Sequence, residues 1–217
     1  MAGGKRYKFA GSLIKTVLNW SAHSPSNTIT GITKANPCVV TVGAGHGLVN
    51  GQLVRINGVV GMTELNGGTF ICTVATNAIT LLDTDSTNYT TYSSGGKLDE
   101  ATFTQFCELT NYNRAGGSSP EIDAESLCST AKEFEIGLPD YGTTSVDYNF
   151  APKTGLQVSL IAAYKAGSMV GMRISLPNSG GEMTQLGFVQ SMSEQAGKGG
   201  LWTGSMVIRN TGPRYDQ

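Results

Sequence analysis

The chain has 217 residues, 29 of them Gly, with only 14% charged and a formal net charge of −1. That length buries a core as one large or two small domains, and a Gly share well above the usual ~7% favours short strands and turns over long helices. The near-neutral balance disfavours a basic nucleic-acid binder and leaves little repulsion between copies, so self-association is expected.

Residues 1–8 are short, basic and Gly-containing, the pattern of a flexible N-terminal arm. Residues 9–20 read as one strand on the propensity of Leu13, Thr16, Val17 and Leu18, with Gly11 as a bulge. Residues 21–27 have linker composition. Residues 28–96 then read as a separate small all-β module with strands at 37–42, 53–57, 69–74 and 78–82. The pairs Asn50-Gly51, Asn57-Gly58 and Asn66-Gly67 supply residues that tolerate positive φ, a strong hairpin signal. Residues 101–112 read as one bulged strand with Phe103, Phe106 and Leu109 as apolar positions. If it pairs with residues 9–20, the module is an insertion at a hairpin tip. The other domain is then discontinuous, 9–27 with 97–217.

Residues 121–142 have no sustained helical or strand period and open after Gly116-Gly117-Ser118-Ser119-Pro120, so they read as a long loop. Unstructured connections of this length are uncommon and usually functional or disordered. Ile122, Leu127, Phe134, Ile136 and Leu138 argue against disorder and need a cover. Thr130 to Glu133 fits a capping box, which sets one helical turn against chance occurrence. The carboxylates Glu121, Asp123, Glu125, Glu133, Glu135 and Asp140 either meet basic groups of a neighbouring subunit or are simply solvated. Beyond the loop, residues 144–150 alternate cleanly, with Val146, Tyr148 and Phe150 on one face and Ser145, Asp147 and Asn149 on a wet one. Leu156, Leu160, Ile161 and Tyr164 mark the one convincing helix, with Pro152 in its first turn and Gly167 as its stop. Strands follow at 169–176, 184–193 and 201–209.

No catalytic, metal or cofactor constellation stands out, so the chain reads as a non-enzyme. Gly43-Ala44-Gly45-His46-Gly47 lacks the helix that a phosphate cradle needs. His23 and His46 have no ligand-spaced partner. Cys38, Cys72, Cys107 and Cys128 stand far apart without a CxxC pair, so buried free thiols are expected. Cys72 sits mid-strand with no His or basic neighbour in sequence to activate it. There is no signal peptide and no apolar run near ~20 residues, which predicts synthesis in a cytoplasm and no membrane partner. The sequons at Asn19 and Asn88 are then coincidental.

The run GGSSPEIDAESLCSTAKEFEIGLPDYGTTSVDYNF resembles the signature of the major tail tube proteins of long, non-contractile-tailed bacteriophages. It departs at Glu125 and Cys128, where that family tends to have Thr and Asp. GFVQSMSEQ and VIRNTGP resemble the family's C-terminal half. ITKANPCVVTVGAGHGLVNGQLVRINGVVGMTELNGGTF resembles a small β module of phage tail proteins named after the first catalytic-cysteine half domain (FCCH) of ubiquitin-activating enzymes, a name that describes shape and not chemistry. The resemblance implies a mainly β fold: a tail tube β-barrel or sandwich with one flanking helix and a long inter-ring loop, plus the inserted module. It implies a structural virion protein forming hexameric rings stacked into a tube that conducts double-stranded DNA during ejection. The implied partners are further copies, the tape measure protein, the tail terminator and distal tail proteins. DNA passes without specific binding.

The implied inter-ring residues are Glu121, Ile122, Asp123, Leu127, Glu133, Phe134, Leu138 and Asp140. DNA must slide without being gripped, so polar and acidic residues should face the lumen, with Asp147 and Asn149 as candidates. The module is expected on the outside, because a lumen holding a duplex and a tape measure has no room for it. The competing class is a two-module soluble receptor- or carbohydrate-binding β protein. It predicts aromatic residues on exposed loop tips, and Trp20 and Trp202 both read as lying elsewhere.

Overall fold

The computed structural model describes residues 6–21, 27–126, 128 and 130–217. Leu127, His23, residues 1–5 of the N-terminal arm and most of the linker lie outside the described residues. The first strand, β1 (Leu13–Ser21), starts just after Gly11, whose φ of 90° belongs to a turn. The expected bulge lies further on, between Val17 and Asn19.

Five strands follow: β2 (Ile29–Ile32), β3 (Cys38–Val42), β4 (Gln52–Val60), β5 (Thr69–Ala75) and β6 (Ala78–Leu81). Cys38, Val40 and Val42 alternate inward from β3, and Ile79 and Leu81 from β6, as a half-buried strand requires. Asn50-Gly51 and Asn66-Gly67 lie in turns, whereas Asn57-Gly58 lies inside β4. Gly58 there faces Gly96 of the neighbouring strand, both at positive φ, and the pair lets the two backbones approach closely.

Residues 101–112 are two strands and not one. The long β7 (Ser94–Gln105) ends in a turn at Phe106-Cys107-Glu108, closed by the Leu109 N–H donating to the Phe106 carbonyl at 3.3 Å, and β8 (Leu109–Arg114) follows. The 121–142 stretch, expected as loop, contains the short strands β9 (Glu121–Asp123) and β10 (Phe134–Ile136). Residues 130–133 form bends with no helical turn. Next come β11 (Thr143–Asn149) and α1 (Gly155–Ala166). Pro152 lies in the turn before α1 rather than in its first turn, because Thr154 occupies the N-cap; Gly167, left-handed at φ 60°, closes it as expected. The helix buries Leu156, Gln157 and Leu160, while Tyr164 is exposed. Gln157 is satisfied: its Oε1 accepts from the Ala151 N–H and its Nε2 donates to the Asn149 carbonyl, both at 2.9 Å. The chain ends with β12 (Met169–Ser175), β13 (Glu182–Gln195) and β14 (Thr203–Asp216).

Twelve strands form one antiparallel sheet in the order β2-β3-β6-β5-β4-β7-β1-β12-β13-β14-β11-β8, and β9 and β10 pair separately. The described residues are mainly β with one α-helix. The hinge of the sheet is β7, whose first half pairs with β4 and whose second half pairs with β1. The expected 96/97 domain boundary therefore falls inside a strand. One core gathers Val40, Val54, Ile56, Leu65, Ile79 and Leu98; a second gathers Val146, Tyr148, Leu160, Met172, Met206 and Ile208. A third, smaller cluster forms a seam between them, in which Leu53 and Ile71 meet Ala101 and Leu186, flanked by Phe103, Met169 and Tyr215. Polar contacts reinforce this seam. Arg173 Nη2 donates to the Gly51 carbonyl at 2.8 Å, and its guanidinium lies 4.3 Å from the Phe103 ring centroid.

Candidate assembly interface

The 115–142 stretch continues the β8–β11 hairpin outward. Past the last sheet pair, Thr144 with Arg114, the Ala115 N–H donates to the Thr143 carbonyl at 2.9 Å. Ser118 then bridges Asp140, and the Gly137 N–H donates to the Pro120 carbonyl at 2.8 Å. β9 pairs with β10, and the Ala124 N–H donates to the Glu133 carbonyl at 3.0 Å. At ~3.3 Å per residue, this two-stranded arm reaches at most roughly 30 Å beyond the sheet.

Side chains opposite one another across an antiparallel pair share a face. Phe134 and Ile136 therefore stand with Asp123 and Glu121, while Ile122 stands with Glu135. Leu138 continues the Phe134, Ile136 alternation. The result is an apolar stripe edged with carboxylates that the described residues leave open: Ile136 is 80% and Leu138 88% exposed. Asp123 Oδ1 caps the far turn by accepting from the Glu125 N–H at 3.0 Å. Lys132 Nζ sits 5.9 Å from the Phe134 ring centroid. Of the sequence-predicted residues here, Glu121, Ile122, Asp123, Glu133, Phe134 and Leu138 lie on this arm. Asp140 sits at its base instead. Its Oδ1 accepts from the Gly142 N–H at 2.8 Å and its Oδ2 from Arg209 Nη2 at 2.7 Å. The Gly142 amide and the Arg209 guanidinium hold its carboxyl below the usual range.

Asp147 and Asn149 lie on the face of β11 turned away from the core, where Asn111 Nδ2 donates to Asp147 Oδ2 at 3.0 Å. The pairings extend that face across neighbouring strands through Asn113, Ser145, Ser191, Ser193 and Ser205. It is mostly a carpet of small hydroxyl and amide side chains, with Val207 and Arg209 on the same face toward the arm.

At the far end of this ribbon the loop between β13 and β14 exposes Leu201 (76%) and Trp202 (57%). Trp202 lies at the base of this loop, past the 197–200 turn and next to the Gln195–Thr203 pair, so the strand expected from 201 begins only at Thr203. Its ring packs 6.2 Å from that of Phe150, whose N–H donates to the Trp202 carbonyl at 2.9 Å. The signal was the Gly-rich run 197–200, which ends the hairpin just before this apolar pair.

The cysteines divide. Cys38 and Cys72 are buried, but Cys107 and Cys128 are exposed, because one falls in the β7–β8 turn and the other at the tip of the arm. Burial and Glu100 push the Cys72 thiol up to about 12, although the fold brings Arg173 near enough to pull the other way. It is a neutral thiol with no nucleophilic character at pH 7. His46 is a turn residue: its Nδ1 accepts from the Leu48 N–H at 3.0 Å. Among the described residues no cluster of His, Cys, Asp or Glu is arranged to hold a metal, and no helix is long and apolar enough to cross a membrane.

Residues 35–101 match the family model described as the ubiquitin-activating enzyme E1 FCCH domain. The chain thus carries an FCCH-like module spanning β3 to the middle of β7. Two solved structures resemble part of the chain. The tail of an empty GTA particle, computed with helical refinement and C6 symmetry, is 13% identical at a TM-score of 0.43, covering 53% of this chain and 86% of that one. The SPP1 tail tube, a hybrid solid-state NMR and cryo-EM structure, is 12% identical at a TM-score of 0.44, covering 54% and 68%. No curated protein matches the chain.

Proposed function

We propose that this chain is the structural subunit of a phage tail tube, forming hexameric rings that stack into a conduit for double-stranded DNA. The observation that carries the reading is the arm: a two-stranded extension with an uncovered apolar stripe, attached to a sheet with open edges at β2 and β8. Exposed edges and stripes of this kind are liabilities in a monomer and contacts in a polymer. The tail tube resemblance of residues 116–150 supports the same reading. In it, subunits close the sheet around the ring, the arm bridges to the next ring, and Asp147 and Asn149 face the lumen with the Ser and Asn carpet. The guanidinium on that face, Arg209, is paired with Asp140, so the carpet offers DNA little cationic grip. The FCCH-like module lies outside the tube. The tape measure, terminator and distal tail proteins are its other partners, and the virion is its location after synthesis in the host cytoplasm. No bond is made or broken.

Negative-stain electron microscopy of the purified protein over a concentration series tests this. Stacked rings or tubes are expected, and a monomer that fails to polymerise even when tail tips are added would overturn the proposal. The exposed Trp202 favours a second reading, a carbohydrate-binding protein. That reading requires a stable monomer or small oligomer with glycan affinity lost in Trp202→Ala.

A further inference from the structure

Beside the arm base the sheet is irregular in a way that gathers arginines. In the β13–β14 ladder, Thr184 faces Tyr215 and Leu186 faces Thr211, so Gln185 alone stands opposite Gly212, Pro213 and Arg214. β14 bulges there, with Gly212 at a φ of 73°, and a bulge re-aims the side chains it carries. Gln185 is buried and stitches the bulge in place. Its Nε2 donates to the Gly212 carbonyl at 3.0 Å, and its Oε1 accepts from Arg114 Nη2 at 3.4 Å. Burial pushes the Tyr112 phenol up, and Arg114 and Arg214 both pull it the other way, so the two guanidiniums converge on one spot.

Between them and the arm lies a recess of about 370 Å³, lined by Arg114 and Arg214 from the sheet, Ser118 and Ser119 from one side of the arm base, and Asp140 and Tyr141 from the other. Its charges do not balance. Asp140 pairs with Arg209, and Asp216 pairs with Arg214 through Nε at 2.6 Å and Nη2 at 2.8 Å, which leaves the Nη1 of Arg214 outside the pair. Arg114 has no carboxylate partner among the described residues, and its Nε is buried without an acceptor. An unmet buried guanidinium N–H is costly, and its fork matches the oxygens of a carboxylate or phosphate.

We infer that this recess is an oxyanion site, in which Arg114 and Arg214, with Ser118 and Ser119 as hydroxyl donors, hold a phosphate or carboxylate group. A duplex is not the source of that group. Arg114 shares the face of β8 that carries Tyr112 toward the core, whereas Asn111 and Asn113 belong to the carpet on the other face. The inference does not depend on the tail tube reading. An anion in the recess ties both sides of the arm base to β8 and β14, so its occupancy braces the arm.

The probe is inorganic phosphate, titrated into the dilute full chain at an ionic strength held constant with chloride. Calorimetry should show saturable binding, and the thermal midpoint should rise with phosphate beyond the chloride control. Arg114→Gln should weaken binding about tenfold or more, the loss of a charge-assisted hydrogen bond. Arg114→Lys, which keeps the charge but not the fork, should fall between, and it carries the test if the Gln variant does not fold. Lys165→Gln, exposed on α1, should bind like the wild type. The Ser118 and Asp140 N–H groups, which donate to each other's carbonyls at 3.0 and 2.8 Å, should exchange more slowly in phosphate, and Arg114→Gln should abolish that slowing. The same titration at concentrations where copies associate separates the two sources. If phosphate opposes association, the group held is a carboxylate of a second copy; if association is indifferent to phosphate, it is a free anion. No saturable binding over the chloride control, or equal binding in Arg114→Gln, would overturn the site.

Discussion

Arg209 Nη2 donates to Asp140 Oδ2 at 2.7 Å and thereby ties the base of the arm to the middle of β14. Asp140 Oδ1 also accepts from the Gly142 N–H, so one carboxylate fixes both the turn that ends the arm and its angle to the sheet. Its folded pKa is held below the ordinary 3.8. A depressed carboxylate contributes stability that is fully present above its unfolded value and is lost as pH falls through its lower folded value. The arm base should therefore loosen only below the ordinary carboxylate range. Amide exchange at Gly142 followed against pH should show protection falling there. Asp140→Asn keeps an acceptor for Gly142 but should remove this pH dependence; a variant that retains it would assign the effect to another group.

The Ser and Asn face of β8, β11, β13 and β14 leads to a second expectation. Asp147→Lys replaces the carboxylate that accepts from Asn111 with an ammonium, repeated in every subunit of a ring. Each phosphate that such an ammonium neutralises steepens the salt dependence of duplex binding by about 0.9, so ejection should slow most at low salt. Asp147→Ser, which only extends the hydroxyl carpet, should leave ejection unchanged. Unaltered ejection in the Lys variant would show that β11 does not face the lumen.

Gly171 in β12 stands against the seam. A methyl added there would overlap Leu53 Cδ1 and press on Val17 Cγ2 at 3.1 Å. Leu53 is fully buried and has little room to retreat. Gly171→Ala should cost about 1–3 kcal/mol, the usual range for overpacking, seen as a lower urea midpoint. Gly116→Ala, in open space, serves as the neutral control.

Much of this was legible in the chain. Alternation marked β11, the short strands read at 37–42 and 78–82 match β3 and β6, and Gly167 marked the end of α1, because local backbone chemistry decides these features. What escaped notice depends on tertiary partners. Asn57-Gly58 reads as a hairpin but runs through β4, since Gly96 from a distant strand makes the close approach worthwhile. Residues 101–112 read as one strand because nothing local announces the turn at Cys107. β9 and β10 are three residues each, too short for a period to emerge, and only their mutual pairing defines them. Trp202 read as strand because the β14 boundary is set by Asn149 across the ladder.

Removal of the module is the sharpest test of how the two cores relate. Read from the sequence as an insertion at a hairpin tip, residues 28–96 should be replaceable by a short turn with tube assembly intact. The seam changes that expectation. Leu53 and Ile71 leave with the module, exposing Leu186, Met169 and Phe103, and Arg173 and Thr184 lose the Gly51 carbonyl to which both donate. Uncovering side chains of this size forfeits about 1.5–3 kcal/mol each and creates a sticky surface along what remains of β7, which loses β4 and becomes an edge strand. The plain deletion should therefore be destabilised and prone to aggregate. The same deletion with Leu186→Thr and Phe103→Thr should recover solubility and, if the module lies outside the tube, form rings visible by electron microscopy. A repaired, folded variant that still forms no rings would place the module in the assembly contact itself. A plain deletion with wild-type thermal stability would show that the seam contributes little.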